Sequence, residues 1–213
     1  MAGFRICCGV VFLLAVTVAG GAMAAGSRPD SADRYTEDRL SLQVMTGPLV
    51  SSSALGPAIP DFDYWQTNVR LGWMLSSPDG KGGALDGNLE FLAELTGSLV
   101  YEGFGDYIAG VAGIIRYNVT GLHPRFVPYV QAGVGLVYTD AYQDRSQTAV
   151  GQGFNFAPRA GLGFRYLLSE SWSLDAEGVY EHISNAGMDD RNGGVNAFGG
   201  FVGLTYYWDD PSR

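Results

Sequence analysis

The sequence predicts an all-β fold, an eight-stranded antiparallel β-barrel that spans a membrane. Turns rich in Gly, Pro, Asp, Asn or Ser divide the chain after residue 25 into eight segments of mostly alternating apolar and polar side chains. Charged residues form only 16% of the chain, whereas a soluble domain carries about a quarter. Aromatic residues and glycines are frequent. An even number of strands long enough to cross a bilayer is typical of bacterial outer-membrane barrels.

The N-terminal 24 residues are predicted to be a cleavable signal peptide. Arg5 supplies a short positive region, and an apolar run from Ile6 to Ala19 follows it. Ala22-Met23-Ala24 then has the small-x-small pattern that signal peptidase recognises. We therefore expect residues 25–213 to form a single outer-membrane β-barrel domain.

The expected cleavage also removes the two cysteines, Cys7 and Cys8. The mature chain would then have no thiol for a disulfide, a thiolate metal site or a cysteine nucleophile. Loss of Arg5 changes the formal net charge from −9 to −10. A basic surface for nucleic acid is therefore excluded.

The alternation of apolar and polar side chains, together with the turn residues, predicts the strand bounds. The predicted strands are Leu40–Gly47, Phe62–Ser76, Leu85–Gly97, Tyr107–Val119, Phe126–Thr139, Gly153–Leu168, Trp172–Ser184 and Val195–Trp208. In the second strand Trp65, Val69 and Trp73 share one face, whereas Asn68 and Arg70 share the other. One apolar and one polar face per strand indicates a lipid-facing wall around a polar, packed interior.

Charges of both signs fall on the inward faces of these strands. Four arginines and four glutamates are predicted to pair there: Arg70, Arg116, Arg159 and Arg165 with Glu90, Glu94, Glu177 and Glu181. The alternative is a soluble sandwich or lipocalin-like barrel with its apolar faces turned inward. The aromatic content of the apolar faces and the lack of a disulfide make this alternative the second choice.

The two histidines of the chain differ in setting. His123 precedes Pro124 in a predicted turn, where we assign it no role. His182 shares the lipid-side face of the seventh strand with Tyr180, and Ser184 projects from the same face two residues on. From the pattern alone, the pair is either a polar rim of the barrel or a nucleophile beside its base.

The residues around this pair resemble a known signature. His182-Ile183-Ser184-Asn185-Ala186-Gly187, then Asn192-Gly193-Gly194-Val195-Asn196 and a final aromatic strand, resembles the signature of the lipid A 3-O-deacylases, the PagL family. The resemblance implies an eight-stranded outer-membrane barrel that removes an ester-linked acyl chain from lipid A. It makes Ser184 the nucleophile and His182 the general base. It also makes Asn192, with the backbone N–H groups of Asn185, Ala186 and Gly187, candidates for the oxyanion hole.

Position 196 departs from the family pattern. The family carries a glutamate four residues after the loop asparagine, whereas this chain carries Asn196. An amide oxygen can accept a hydrogen bond from the imidazole and hold its tautomer, but it supplies no negative charge. We expect Asn196 to be the third, atypical member of the triad and turnover to be slower.

Nothing in the sequence implies a metal or a cofactor. The resemblance implies lipopolysaccharide in the outer leaflet as the partner, and the sequence leaves open whether the chain forms a homodimer. The alternative function is a non-catalytic outer-membrane barrel with a structural, adhesive or lipid-binding role. Asn196 in the acid position favours that alternative. A diffusion pore is disfavoured because eight strands enclose a filled interior.

Overall fold

The computed structural model describes residues 34–52, 61–81 and 83–208. Eight antiparallel strands form a closed barrel in which each strand pairs with its sequence neighbour and the last pairs with the first. The strands are β1 Leu40–Ser51, β2 Asp63–Met74, β3 Gly87–Glu102, β4 Tyr107–Val119, β5 Phe126–Thr139, β6 Phe154–Leu167, β7 Trp172–Ile183 and β8 Val195–Tyr207. The predicted eight-stranded antiparallel barrel is confirmed.

Two segments of the prediction lie outside the described residues, namely the expected signal peptide and the tail after Trp208. Within the described ranges, no helix has the length and apolar character needed to cross a bilayer. A 3-10 turn, Ala141–Gln143, lies between β5 and β6.

Strand bounds agree with the prediction to within two residues except at two ends. The fourth and fifth strands match to the residue, whereas β1 and β3 continue past Gly47 and Gly97, where the prediction ended them. Pro48 still pairs with Trp65 of β2, and the gap in the β1–β8 pairing falls at Gly47 and Pro48. A proline, which has no N–H to donate, is tolerated at such a gap.

The outer wall of the barrel is apolar, as the alternation predicted. Leu95, Leu99 and Leu162 are 63%, 70% and 68% exposed, and Trp65 and Trp73 also face outward. A soluble barrel would bury these side chains in its interior. The wall therefore fits contact with lipid and excludes the soluble alternative.

The lumen is filled by a network of ion pairs. Arg70 bonds Glu94 and Glu177 at 2.7 and 2.8 Å, and Arg165 bonds Glu90 at 3.0 Å. Arg159 bridges Glu94 and Glu181, and Arg116 lies within 3.6 Å of Glu90 and Glu177. Each of the eight predicted inward charges therefore has a partner of opposite sign. Because each charge is paired, the interior avoids the free-energy cost of burying an unpaired charge.

Apolar side chains close the lumen at both ends. We call the end with the β1–β2, β3–β4, β5–β6 and β7–β8 connections the upper rim, and the other end the lower rim. A cluster that includes Leu49, Phe62 and Phe104 packs below the upper rim. Tyr35 and Tyr207 pack together at the lower rim with their hydroxyls 3.2 Å apart. The middle of the barrel is thus ionic and its ends are apolar.

Candidate active site

His182 and Ser184 lie at the upper rim on the outer face of the barrel. His182 is the penultimate residue of β7, and its side chain is half-buried, whereas its sequence neighbours Glu181 and Ile183 face inward. Ser184 follows the strand and is fixed to β6 by a bridge in which its N–H and C=O both bond Phe156, at 3.0 and 2.8 Å. The bridge keeps Ser184 in register with the sheet, on the same face as His182.

Asn196 lies directly across from His182 on β8. Its Oδ1 is 2.7 Å from His182 Nδ1, and the hydroxyl of Tyr180 donates to the same oxygen at 2.7 Å. Asn196 is only 5% exposed although it lies on the outward face. Because an amide oxygen only accepts, the contact requires the proton of the neutral imidazole on Nδ1, which leaves Nε2 free to accept one.

The structure brings the imidazole to Asn196 but not to Ser184. Among the described residues, the Ser184 hydroxyl makes no hydrogen bond, and neither does Nε2 of His182. Residues i and i+2 of a strand are about 7 Å apart, so rotation of the serine side chain can shorten the separation. Such contacts are often long in hydrolases without substrate.

The loop after Ser184 uses most of its polar groups internally. Asn185 N–H donates to Asn192 Oδ1 and Gly187 N–H donates to Asn185 Oδ1, both at 2.9 Å. Ala186 and Gly187 adopt positive φ angles of 54° and 81°. Two of the expected backbone donors are therefore occupied. Within the described ranges, the N–H of Ala186 and Nδ2 of Asn192 have no acceptor.

Hydrogen bonds from Arg191 join this β7–β8 loop to the loop between β5 and β6. The Arg191 guanidinium donates to the carbonyls of Asp144, Tyr142 and Gly151 at 3.0, 3.0 and 3.2 Å. Hydrogen bonds from the hydroxyl and N–H of Ser146 lower the pKa of the Asp144 carboxyl. The two loops border a polar cavity of about 640 Å³, lined by Tyr142, Gln143, Arg145, Gly151, Asp189 and Arg191.

Sequence reasoning missed two residues that contact the site. The sequence predicts only that Tyr180 lies on the lipid-side face, whereas in the structure its hydroxyl bonds Asn196. Gly194 has a positive φ of 73°, and a Cβ there would lie 2.8 Å from His182 Cε1. The two consecutive glycines, Gly193 and Gly194, indicate an unusual backbone conformation from the sequence alone. The sequence does not indicate that this backbone contacts the imidazole. In the part of the chain that the structure describes, no cluster of His, Cys, Asp and Glu has the composition of a metal site.

The chain matches the model of a known protein family. The family model described as lipid A 3-O-deacylase (PagL) matches residues 64–205, more than half of the chain. The crystal structure of the outer membrane enzyme PagL is similar, with 16% identity, a TM-score of 0.55, and coverage of 76% of this chain and 97% of that one.

The crystal structure of Neisserial surface protein A has the same fold, at 16% identity and a TM-score of 0.56, with 79% of this chain and 97% of that chain covered. At such identities the likeness describes the fold alone. The search of curated proteins gives no match. The barrel and its lipid-facing wall place the protein in the bacterial outer membrane, and the family match extends over β2 to β8. The chain therefore belongs to the lipid A 3-O-deacylase (PagL) family.

Proposed function

We propose that this protein is a serine esterase that removes the 3-O-linked acyl chain from lipid A in the outer leaflet. The observation that carries the proposal is the contact of His182 Nδ1 with Asn196 Oδ1 at 2.7 Å, at one rim of the lipid-facing wall. Ser184 follows His182 by two residues on the same face. Membership of the family supports lipid A as the substrate. We also propose that the upper rim faces the cell exterior.

The location of the site supports a reaction at the barrel wall. The acyl chains of lipid A would lie beside outward side chains such as Phe156 and Phe198, which are 40% and 38% exposed. The ester at the head of a chain would then reach the level of Ser184 without leaving the membrane. Contact with apolar side chains also orients the substrate before reaction.

In the acylation step, Ser184 Oγ attacks the ester carbonyl while His182 Nε2 takes the hydroxyl proton. The C–O bond to the sugar then breaks, and the imidazole returns the proton to the leaving sugar hydroxyl. His182 then takes a proton from a water molecule, which attacks the carbonyl of the acyl-serine. The bond between the acyl carbon and Ser184 Oγ breaks, the imidazole returns the proton to Oγ, and a free fatty acid leaves. We assign stabilisation of the oxyanion to Asn192 Nδ2 and the Ala186 N–H, since both lack acceptors among the described residues.

Asn196 has a narrower role than a carboxylate would have. Its oxygen holds the Nδ1–H tautomer, but as a neutral group it adds little stabilisation to the imidazolium that forms when Ser184 is deprotonated. We therefore expect Asn196→Glu to raise kcat. The increase would be read with purified enzyme and lipid A in mixed micelles.

The test is mass spectrometry of lipid A from cells that express the wild-type protein or Ser184→Ala. We expect the wild type to remove one hydroxyacyl chain and Ser184→Ala to remove none, because loss of the nucleophile lowers kcat by several orders of magnitude. Ser169→Ala, in the β6–β7 turn at the lower rim, is the matched control and should act like the wild type.

A second candidate function is a barrel that binds lipid without reacting with it. The neutral Asn196 and the separation of the Ser184 hydroxyl from the imidazole favour this candidate. Unchanged lipid A from wild-type cells, with the barrel folded as judged by its heat-dependent migration on gels, would reject the esterase.

A further inference from the structure

We infer that Tyr180 is a positioning residue that holds the Asn196 amide with its oxygen toward His182. The catalytic consequence of this inference rests on the proposed function, whereas its structural consequence, the tautomer of His182, does not. Tyr180 and His182 lie two residues apart on the outer face of β7, and Asn196 lies across from His182 on β8.

The three side chains form a chain of hydrogen bonds centred on one oxygen. Asn196 Oδ1 lies 2.7 Å from the Tyr180 hydroxyl and 2.7 Å from His182 Nδ1. An amide oxygen has two lone pairs, so it can accept both hydrogen bonds at once. The Tyr180 ring packs on Phe198, with ring centroids 5.0 Å apart, which fixes the direction of the hydroxyl.

An asparagine in a triad raises a problem that a glutamate does not. If the amide rotates by half a turn, its NH₂ group faces Nδ1 and donates to it. The proton of the neutral imidazole then lies on Nε2, which can no longer accept the proton of Ser184. In serine proteases, exchange of the triad acid for an amide impairs the enzyme through this wrong tautomer. A carboxylate has no donor, so it needs no such control.

The Tyr180 hydroxyl favours the productive orientation. A phenol is a better hydrogen-bond donor than acceptor, because its oxygen lone pairs are delocalised into the ring. It therefore bonds the amide oxygen more strongly than it bonds the NH₂ group. With the oxygen held by Tyr180, the same oxygen faces Nδ1 and the imidazole keeps Nε2 free. The tyrosine thus supplies control of orientation that a carboxylate at position 196 makes unnecessary.

The kinetic test uses Tyr180→Phe alone and combined with Asn196→Glu. The phenylalanine keeps the ring that packs on Phe198 and removes only the hydroxyl. We expect Tyr180→Phe to lower kcat about tenfold, the effect of losing one net hydrogen bond, with KM unchanged. In the Asn196→Glu background the same change should alter kcat by less than about twofold.

The second readout is the tautomer of His182, measured by long-range ¹H–¹⁵N correlation in detergent micelles. The chain has two histidines, so the spectrum contains few signals. His123 is an internal control, since its Nδ1 accepts from the Arg125 N–H at 3.1 Å and its proton belongs on Nε2. We expect His182 to carry its proton on Nδ1 in the wild type and to shift toward Nε2 in Tyr180→Phe.

The outcomes separate the two proposals. An equal loss of kcat in both backgrounds, or an unchanged His182 tautomer in Tyr180→Phe, would overturn the role of Tyr180. If the wild type leaves lipid A intact but the tautomer still shifts in Tyr180→Phe, the esterase fails and the positioning role stands. If the wild type is active and Tyr180→Phe matches it, the positioning role alone fails.

Discussion

The imidazole of His182 lies against the backbone of Gly194, the residue before β8. Gly194 adopts a φ of 73°, which favours glycine, and its N–H donates to the Ala149 carbonyl at 3.0 Å. A Cβ at this position would lie 2.8 Å from Cε1 and 3.4 Å from Nε2 of His182. The glycine therefore provides the space in which the Cε1–Nε2 edge of the ring lies.

Gly194→Ala should displace the imidazole and lower kcat about 100-fold, the scale expected when a reacting group moves by about 1 Å. Purified variants would be compared by release of fatty acid from lipid A. Gly80→Ala is the matched control, because Gly80 has a φ of 68° but no atom within 4 Å of an added Cβ. Equal activity of Gly194→Ala and the wild type would show that the ring tolerates the methyl group.

At this scale the sequence predicts which face a residue lies on but not which atoms it contacts. Strand parity places Tyr180, His182 and Ser184 outward, and the structure agrees. The contact between Tyr180 and Asn196 depends on the β7–β8 register, which a loop of eleven residues does not fix in the sequence. The contact of Gly194 with the imidazole depends in the same way on the path of that loop.

At the upper rim, hydrogen bonds connect the β5–β6 loop to the β7–β8 loop. Arg191, in the β7–β8 loop, binds four carbonyl oxygens of the β5–β6 segment. In return, its own carbonyl accepts from Asn185 Nδ2 at 3.1 Å. One side chain thus fixes the β5–β6 loop relative to the segment that carries Asn185 and Asn192.

Arg191→Ala should loosen the β5–β6 loop, since its carbonyls lose a charged donor. Arg145 is the only Lys or Arg between Asp140 and Gly153. The rate of tryptic cleavage after Arg145 therefore measures how mobile this loop is. We expect that cleavage to accelerate and kcat to fall severalfold. Gln143→Ala, an exposed change in the same loop, should leave both unchanged. Equal cleavage rates in the two variants would contradict the role of Arg191.

Strand bounds were predicted to within two residues, except where the prediction ended a strand at Gly47 or Gly97. Gly97 pairs with Thr67 on one side and Ala109 on the other, so β3 continues to Glu102. Glycine and proline weaken a strand on average, but a closed barrel supplies partners on both sides of each strand. Partners from distant parts of the chain are not visible in a local pattern.

On the scale of the whole molecule, stability depends on a charged interior. Glu177 is the centre of the network: it accepts from Arg70 at 2.8 and 3.1 Å, from the Tyr129 hydroxyl at 2.9 Å and from Gln131 at 2.9 Å. It also lies within 3.6 Å of Arg116. Alternation predicted which charges face inward, whereas the pairing of specific partners across the lumen required the closed structure.

Glu177→Gln should lower the free energy of unfolding by about 3 kcal/mol or more, because two buried guanidinium groups lose their shared counter-charge. The measurement is a urea titration in lipid vesicles, read from the folded and unfolded bands on gels. Glu102→Gln, an exposed carboxyl at the end of β3, should leave the midpoint unchanged. Matching midpoints for both variants would mean that water or rearranged partners replace the Glu177 charge.

The proposed chemical groups all lie on one hairpin. Tyr180, His182, Ser184, Asn192 and Asn196 fall within seventeen consecutive residues, spanning the end of β7, its loop and the start of β8. The other six strands contribute a wall, a filled interior and a supporting loop. Under the proposed function, we expect exchange of that single segment between barrels of this architecture to transfer or erase the activity, so that a structural barrel and a hydrolase could share one scaffold.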